Sequence, residues 1–383
     1  MENKHIINSL LDNDWYAFTQ SQVVYFFFQK VQVKYRFILR DSVIFPEGFD
    51  KRLQDEINHL STLKLTEDEY KWLKNNPNMY NYFLEWYKGY QFNREEVKIT
   101  FENSQLGVEI EGNWMSCIFW ETPILAIISE LYFSMTGQTV DIRTVLDKTL
   151  EKGEQLAGIP FVEFGTRRRF SFEAQNHVIN GFLNSKSKDN FVGTSNPYFS
   201  MKYKMWIVGT YSHQAVQSMQ VLDNVENCDN AWLVYWRTLY GKMLNVALTD
   251  TLTTDHFLNS VDDILFRLLD GFRIDSGDPI LIGWKIIKKL QSLGIDPKTK
   301  NIVFSDNLNP EKVKILWGIF SEVCQPIFGI GTNLTNDFGP KPLNMVIKMV
   351  ECNGKSVIKL SDDITKCCGD AATIEKVKKE LGI

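Results

Sequence analysis

The chain has little that would build a disulfide framework, a zinc centre or a membrane span. Its six cysteines, at 117, 228, 324, 352, 367 and 368, include no C-x-x-C pair. That pattern fits reduced intracellular thiols rather than a secreted scaffold. Only five histidines occur, at 5, 59, 177, 213 and 256, and none stands in an H-E-x-x-H spacing, which speaks against a zinc site held by protein ligands alone. No apolar run approaches the roughly 18 residues of a membrane-crossing helix; the nearest, 124–133, is broken by Ser129 and Glu130. No secretory leader is recognisable at the start. A cytoplasmic protein without a membrane partner is the expectation. The basic excess of a nucleic-acid coat is also missing, since 42 Lys and Arg stand against 47 Asp and Glu for a net charge of −5. No nucleic-acid partner is therefore expected, although a local basic site stays open. Neither the dinucleotide-binding G-x-G-x-x-G nor the phosphate-loop G-x-x-x-x-G-K-[ST] occurs.

What is present is ordinary globular material with a heavy aromatic load. Of 383 residues 44% are hydrophobic, with 26 Phe, 14 Tyr and 10 Trp, enough for a large core. That length suits two or three domains, or one large α/β domain with an appendage. The N-terminal third mixes helices and antiparallel strands. Asp12 or Asp14 is placed to cap a helix running to about Gln29. Val31–Leu39 alternates as a strand, and 97–101 with 106–110 flank a short polar turn, which predicts a hairpin. A polar helical stretch rich in Trp and Tyr fills about 50–90. Pro123 suits the first turn of a further helix, and Gly137 its C-terminal cap.

The middle of the chain keeps a different rhythm. Seven short apolar runs each end in small, polar or charged residues: 161–166, 191–195, 205–210, 246–250, 272–275, 302–306 and 327–332. Most are spaced to leave room for a helix, and Asp278-Pro279 opens one that ends near Leu293-Gly294. Repeated strand-then-helix units predict a parallel sheet closed as an irregular (β/α) barrel of about seven strands. In such a sheet the polar residues lie at the carboxyl ends of the strands, the face where ligands bind. At the C-terminus, 345–351 and 355–360 flank Asn353-Gly354, a strong hairpin signal. The predicted division is an α/β N-terminal domain, 1–120, completed by the C-terminal hairpin in 345–383, and a barrel-like domain, 121–344.

Four constellations sit where chemistry is expected. Glu163-Phe-Gly-Thr-Arg-Arg-Arg-Phe-Ser171 puts three arginines between a strand and a helix that Ser171 caps. Arginine forks and helix-end amides both favour an anion, although a solvated basic turn would look the same. Phe328-Gly-Ile-Gly-Thr-Asn333 offers backbone N–H groups after a late strand, a weak phosphate signal. Asp250, Asp275 and Asp306 end three strands, either as helix caps or as groups for ribose hydroxyls, Mg²⁺ or a cationic side chain. His213 follows a strand on the same face; a lone histidine is usually structural, but one beside carboxylates can act as a nucleophile at phosphorus. The set suits a phosphorylated sugar and a small planar anion.

With these residues in view the chain resembles the nicotinate phosphoribosyltransferase family of the bacterial and yeast type. The resemblance runs over nearly the whole length. It rests on Leu10-Leu-Asp-Asn-Asp-Trp-Tyr16, Phe164-Gly-Thr-Arg-Arg-Arg-Phe-Ser171, Phe191-Val-Gly-Thr-Ser-Asn196 and Ala247-Leu-Thr-Asp250. It continues through Asp275-Ser-Gly-Asp-Pro279, Phe304-Ser-Asp-Asn-Leu308, Phe328-Gly-Ile-Gly-Thr332 and Lys341-Pro-Leu-Asn344. It implies transfer of the ribosyl phosphate of 5-phosphoribosyl diphosphate to nicotinate in NAD salvage, coupled to ATP hydrolysis, with Mg²⁺ bound to the substrate. It also implies a homodimer with shared active sites.

Carried residue by residue, the resemblance implies that Phe164 stacks on the pyridine ring and Tyr16 covers its other face from a neighbouring subunit. Arg167 and Arg273 would hold substrate anions, Gly331 and Thr332 the 5-phosphate, and Asp275 and Asp306 the ribose hydroxyls or metal-bound substrate. His213 would take a phosphoryl group from ATP, with Asp250 orienting it. Arg40, Lys348 and Lys359 are further candidates for diphosphate or nucleotide contacts. Nicotinamide phosphoribosyltransferase is the nearest alternative. That relative has an aspartate where this chain has Ser195, and an aspartate would repel a carboxylate. A quinolinate-specific enzyme would need additional basic residues, and a catalytically silent nucleotide-binding relative is the alternative of another class.

Overall fold

The computed structural model describes residues 5–382. Two sheets organise it. The first is antiparallel, built from β1 (Gln32–Leu39), β2 (Val97–Glu102), β3 (Gln105–Asn113), β11 (Met345–Cys352) and β12 (Lys355–Ser356), in the order β12-β11-β1-β3-β2. Strand β1 forms because its apolar residues alternate: Val33, Tyr35 and Phe37 turn inward while Gln32 and Arg36 face solvent. The predicted hairpin at 97–110 is β2–β3, closed by Asn103 and Ser104 at φ of 51° and 60°. The C-terminal strand β11 pairs antiparallel with β1, Phe37 opposite Ile347, and so completes the N-terminal sheet from the far end of the chain. Asn353 and Gly354 turn with φ of 48° and 72°, the left-handed pair that a two-residue hairpin needs. The hairpin is shorter than the sequence suggests, since β12 pairs over only Lys355 and Ser356. Beyond it Val357–Leu360 is a buried strap rather than a strand.

The second sheet is parallel and contains all seven predicted runs. They are β4 (Phe161–Glu163), β5 (Phe191–Thr194), β6 (Trp206–Ile207), β7 (Val246–Leu248), β8 (Gly271–Ile274), β9 (Asn301–Phe304) and β10 (Gln325–Ile330), ordered β6-β5-β4-β10-β9-β8-β7. The sheet is a curled half-barrel. No ladder joins β6 to β7 among the described residues, so closure is the one feature of the predicted barrel that the structure does not bear out. Strand β6 is two residues long and cannot support a second ladder. A side chain crosses the seam instead: the Tyr211 hydroxyl accepts the Leu248 N–H at 3.2 Å.

Helices pack on these sheets with local signals that match the sequence. Helix Glu121–Met135 carries Pro123 in its first turn, and Gly137 beyond its end has φ 69°. Helix Phe172–Leu183 is capped by Ser171, whose Oγ accepts the Ala174 N–H at 3.0 Å. Helix Pro279–Ser292 is capped by Asp278. The first helix, Trp15–Phe27, departs from expectation: Asp14 is its N-cap residue but makes no side-chain capping bond, and Asp12 serves a different partner. The stretch 114–135 is long and apolar enough to cross a membrane, but most of it is buried against the cores. One core fills the space between the antiparallel sheet and the N-terminal helices, and a second surrounds the parallel sheet.

Candidate active site

A cavity of about 700 Å³ opens at the carboxyl ends of the parallel strands and extends under the antiparallel sheet. All fourteen residues singled out above lie on it except Asp250, which is fully buried one shell behind.

The aromatic end is built around β4 and its following turn. Phe164 directly follows β4, and its ring packs on Gly329 of β10; a Cβ on Gly329 would stand 2.4 Å from Phe164 Cδ2, so that position needs glycine. The Arg273 guanidinium lies over the same ring, 5.7 Å from its centroid. Tyr16 lines the cavity of its own chain. The reason is local. Trp15 N–H donates to Ser195 O at 2.7 Å, sewing the start of the first helix to the end of β5. The Tyr16 hydroxyl donates to Glu121 Oε2 at 2.6 Å, while Arg167 Nη1 donates to Glu121 Oε1 at 3.1 Å. Burial, then Glu121, pushes the Tyr16 phenol well above its usual range. Ser195 Oγ is buried at the wall with no hydrogen-bond partner.

The three arginines diverge. Arg167 faces the cavity, paired with Glu121. Arg168 donates through Nε to Met345 O at 2.9 Å and faces the outer cavity beside Arg40. Burial and then the positive charges of Arg167 and Arg40 lower it to about 10. Arg169 turns away into the protein, where it meets Asp12 in two parallel bonds of 2.8 Å, both side chains being buried. Asp14 also faces the cavity, and burial, partly offset by Arg167 and Arg273, raises it to about 6.

The polar end gathers strand-end residues from β7 to β10. Asp275 Oδ1 accepts from Arg273 Nη2 at 3.0 Å and from Ser305 Oγ at 2.6 Å. Burial would raise this carboxyl, but Arg273 and then His213 outweigh it and hold it well below the usual range. Asp306 is bonded to Lys366. Gly331 and Thr332 stand where β10 passes into the short helix Thr332–Thr335, beside the turn after β4. His213 begins helix His213–Leu222, and its Nε2 bonds Asp250 Oδ1 at 2.8 Å. Asp275 Oδ2 stands 3.8 Å from the same nitrogen. Asp250 Oδ2 accepts from Ser276 Oγ at 2.6 Å and Lys359 Nζ at 2.8 Å. Lys359 is therefore engaged with a carboxylate rather than held free in the cavity. Lys348 is half-buried at the wall, and burial lowers its pKa.

Glu121, Asp14, Ser276, Ser305 and Lys366 are site residues that sequence reasoning does not single out. Glu121 reads as an ordinary acid in a first helical turn, and the two serines sit unremarked inside the Asp275 and Asp306 motifs. Lys366 has no pattern around it. Among the described residues no three His, Cys, Asp or Glu side chains are grouped to hold a metal ion.

An α/β half-barrel whose strand-end cavity combines an aromatic platform, several guanidinium groups and a buried His–Asp pair defines an enzyme acting on phosphorylated, anionic substrates. The comparisons make the family specific. A profile described as the nicotinate phosphoribosyltransferase (NAPRTase) family matches residues 159–383, and its N-terminal domain matches 11–129. The chain is 38% identical to the nicotinate phosphoribosyltransferase of Desulforapulum autotrophicum, covering 98% of this chain and 99% of that one. It is 36% identical to that of Escherichia coli, covering 99% and 96%. The solved structure from Porphyromonas gingivalis superposes with a TM-score of 0.96 at 33% identity, covering 99% of this chain and 100% of that one. The structure from Vibrio cholerae gives 0.92 at 33%, covering 100% and 95%. The chain belongs to the nicotinate phosphoribosyltransferase family.

Proposed function

We propose that this chain transfers the phosphoribosyl group of 5-phosphoribosyl diphosphate to nicotinate, with ATP as co-substrate and His213 as transient phosphoryl acceptor. The supporting observation is that the His213–Asp250 pair opens onto the same cavity as Phe164, Arg167 and the unpartnered Ser195 hydroxyl. Nicotinate lies against Phe164 with Tyr16 beside it, and its carboxylate meets Arg167 and Ser195 Oγ. The Arg273–Asp275 pair and Asp306 hold the ribosyl phosphate, and Gly331 and Thr332 receive its 5-phosphate. Arg40, Arg168 and Lys348 face the departing diphosphate, where negative charge grows as the C1–O bond breaks. Mg²⁺ enters bound to that diphosphate. The pyridine nitrogen is a neutral nucleophile, so positioning rather than deprotonation is what the site supplies.

In the ATP half-reaction, His213 is a neutral imidazole at pH 7, because burial and then Lys359 lower its pKa to about 4. Asp250 accepts only, so its bond assigns the ring proton to Nε2 and leaves the lone pair on Nδ1. Nδ1 attacks the γ-phosphorus, the bond to the ADP oxygen breaks, and the proton stays between Nε2 and Asp250. Later transfer of the phosphoryl group to water restores the histidine. The cytoplasm, where these phosphorylated substrates are made, is the proposed location. A homodimer with shared active sites is the proposed assembly.

The test is nicotinate mononucleotide formation with and without ATP, for wild type and His213→Ala. Strong ATP stimulation in wild type, reduced in the variant to a slow ATP-independent rate, is expected. Product from nicotinamide but not from nicotinate would overturn the substrate, and equal ATP stimulation of both proteins would overturn the role of His213.

A further inference from the structure

We infer that Lys359, on the C-terminal strap, is a positioning residue for the ATP half-reaction: by neutralising Asp250 it keeps His213 uncharged and able to accept phosphate. The inference rests on the phosphohistidine reading above and adds to it a residue that touches neither ATP nor the reacting nitrogen.

The geometry is a buried relay. Asp250 is 0% exposed and Lys359 3% exposed. The carboxylate divides its two oxygens, Oδ1 to His213 at 2.8 Å and Oδ2 to Lys359 at 2.8 Å and Ser276 at 2.6 Å. One lysine cation therefore answers one aspartate anion where water cannot. Remove the cation, and the carboxylate would draw a proton onto the imidazole instead, since a buried charge left unpaired is costly. An imidazolium has no lone pair for phosphorus.

The strap is built to hold that lysine still. Gln220, two turns along the helix that His213 opens, clamps the strap backbone: its Nε2 donates to Ile358 O at 2.8 Å and its Oε1 accepts the Ile358 N–H at 3.0 Å. Lys359 and Cys368 exchange two backbone bonds of 2.9 Å, and Leu360 N–H donates to Thr251 O at 3.0 Å beside Asp250. Lys359 Nζ also reaches Ser361 Oγ at 3.3 Å.

Other charges face His213 as well. Asp275 stands 3.8 Å from Nε2 but is paired with Arg273. Lys348 of β11 acts on the ring as a second cation, and Asp229, on the neighbouring helix Cys228–Tyr240, acts on Asp250 from behind. Of these charged groups, Lys359 alone touches the carboxylate that holds the ring.

The experiment measures the initial rate of acid-labile labelling of His213 by γ-³²P-ATP between pH 5.5 and 9, on the full chain. Wild type, Lys359→Met, Lys359→Arg and Ser276→Ala are compared. Wild-type labelling should be flat above about pH 6. Lys359→Met should be slowed at least about tenfold at pH 6.5 and regain rate by pH 8.5, which puts its midpoint at about 7.5, roughly three pH units above that of wild type. Lys359→Arg should keep the wild-type midpoint. Ser276→Ala removes a bond to Asp250 but no charge, and its midpoint should also stay. A Lys359→Met loss of equal size at every pH, or no loss, overturns the inference while leaving the phosphohistidine intact. If the lysine variants do not fold, a raised midpoint in Ser276→Ala would overturn it, because any lost bond would then suffice. Absence of label in wild type overturns the phosphohistidine reading itself and this inference with it.

Discussion

At the level of single side chains, the proposed choice of substrate rests on Ser195 and Glu121. An unpartnered buried hydroxyl costs about 1–3 kcal/mol, and Ser195 Oγ is one such group at the cavity wall. A carboxylate oxygen of nicotinate is a partner that removes the cost. Ser195→Asp would set a second anion against that carboxylate, at about 2–5 kcal/mol, or about 30-fold to several thousand-fold in kcat/KM. Steady-state kinetics with nicotinate and nicotinamide checks this; unchanged discrimination would refute the role. Glu121 holds both Tyr16 and Arg167. Its loss in Glu121→Ala should raise KM for nicotinate by about tenfold or more while kcat falls less, because two binding groups lose their anchor but the His213–Asp250 pair does not.

At the scale of elements, the loop before the first helix and the arginine turn after β4 are held together by one buried ion pair. Arg169 and Asp12 make two bonds of 2.8 Å, and Asn196 Nδ2 adds a third to Asp12 at 2.8 Å. This staple places Asp14, Tyr16 and Arg167 around one end of the cavity. Arg169→Leu leaves the Asp12 charge buried and should cost about 3–5 kcal/mol. Removing both charges in Asp12→Leu with Arg169→Leu should recover a good part of that. Urea unfolding of the three proteins decides it; a double variant no better than Arg169→Leu would show that the pair supplies more than mutual neutralisation. The sequence marks the arginine triplet as a candidate anion site, but the division of labour within it was not legible. Arg167 and Arg168 lie in a single 3-10 turn, Thr166–Arg168, where successive side chains point about 120° apart. Arg169 follows in extended backbone and faces inward.

For the whole molecule, acid–base balance should shape stability. Asp229 is buried, with His256 Nε2 3.8 Å from its Oδ2, and burial, then Asp250, raises it to about 7. A carboxyl raised in the folded state favours folding below its unfolded pKa and loses that advantage as pH rises towards about 7. His213 acts in the opposite sense: lowered to about 4, it adds stability above its unfolded pKa near 6.5 and loses it as pH falls between those values. Asp229→Asn should therefore be more stable than wild type, by a margin that grows from pH 4 to 7 and then levels at up to about 4 kcal/mol. Thermal unfolding across that range measures it, and a margin that shrinks with pH would overturn the assignment. Helix Cys228–Tyr240, which carries Asp229, packs against the helix of His213, so the same variant reports on the ground behind the active site.

The seven parallel strands, the two turns and the helix caps at Ser171 and Asp278 were determined by the sequence itself. Each depends on neighbours within a few residues: a buried parallel strand is an apolar run, its carboxyl end a polar stop, and Asn353-Gly354 a pair able to take positive φ. The set of strand-end acids, glycines and arginines could be collected on one face because a parallel sheet puts all those ends on one side. What only the tertiary structure decided is which partner each side chain takes. Asp250 and Lys359 are 109 residues apart, Asp12 and Arg169 157, and nothing in local periodicity links them. The return of β11 to β1, the strap beyond it and the unclosed seam between β6 and β7 bring those groups together. The bond of Tyr16 to Glu121, the inward turn of Arg169 and the neutral state of His213 follow from long-range burial, which pairs groups that the chain spaces far apart.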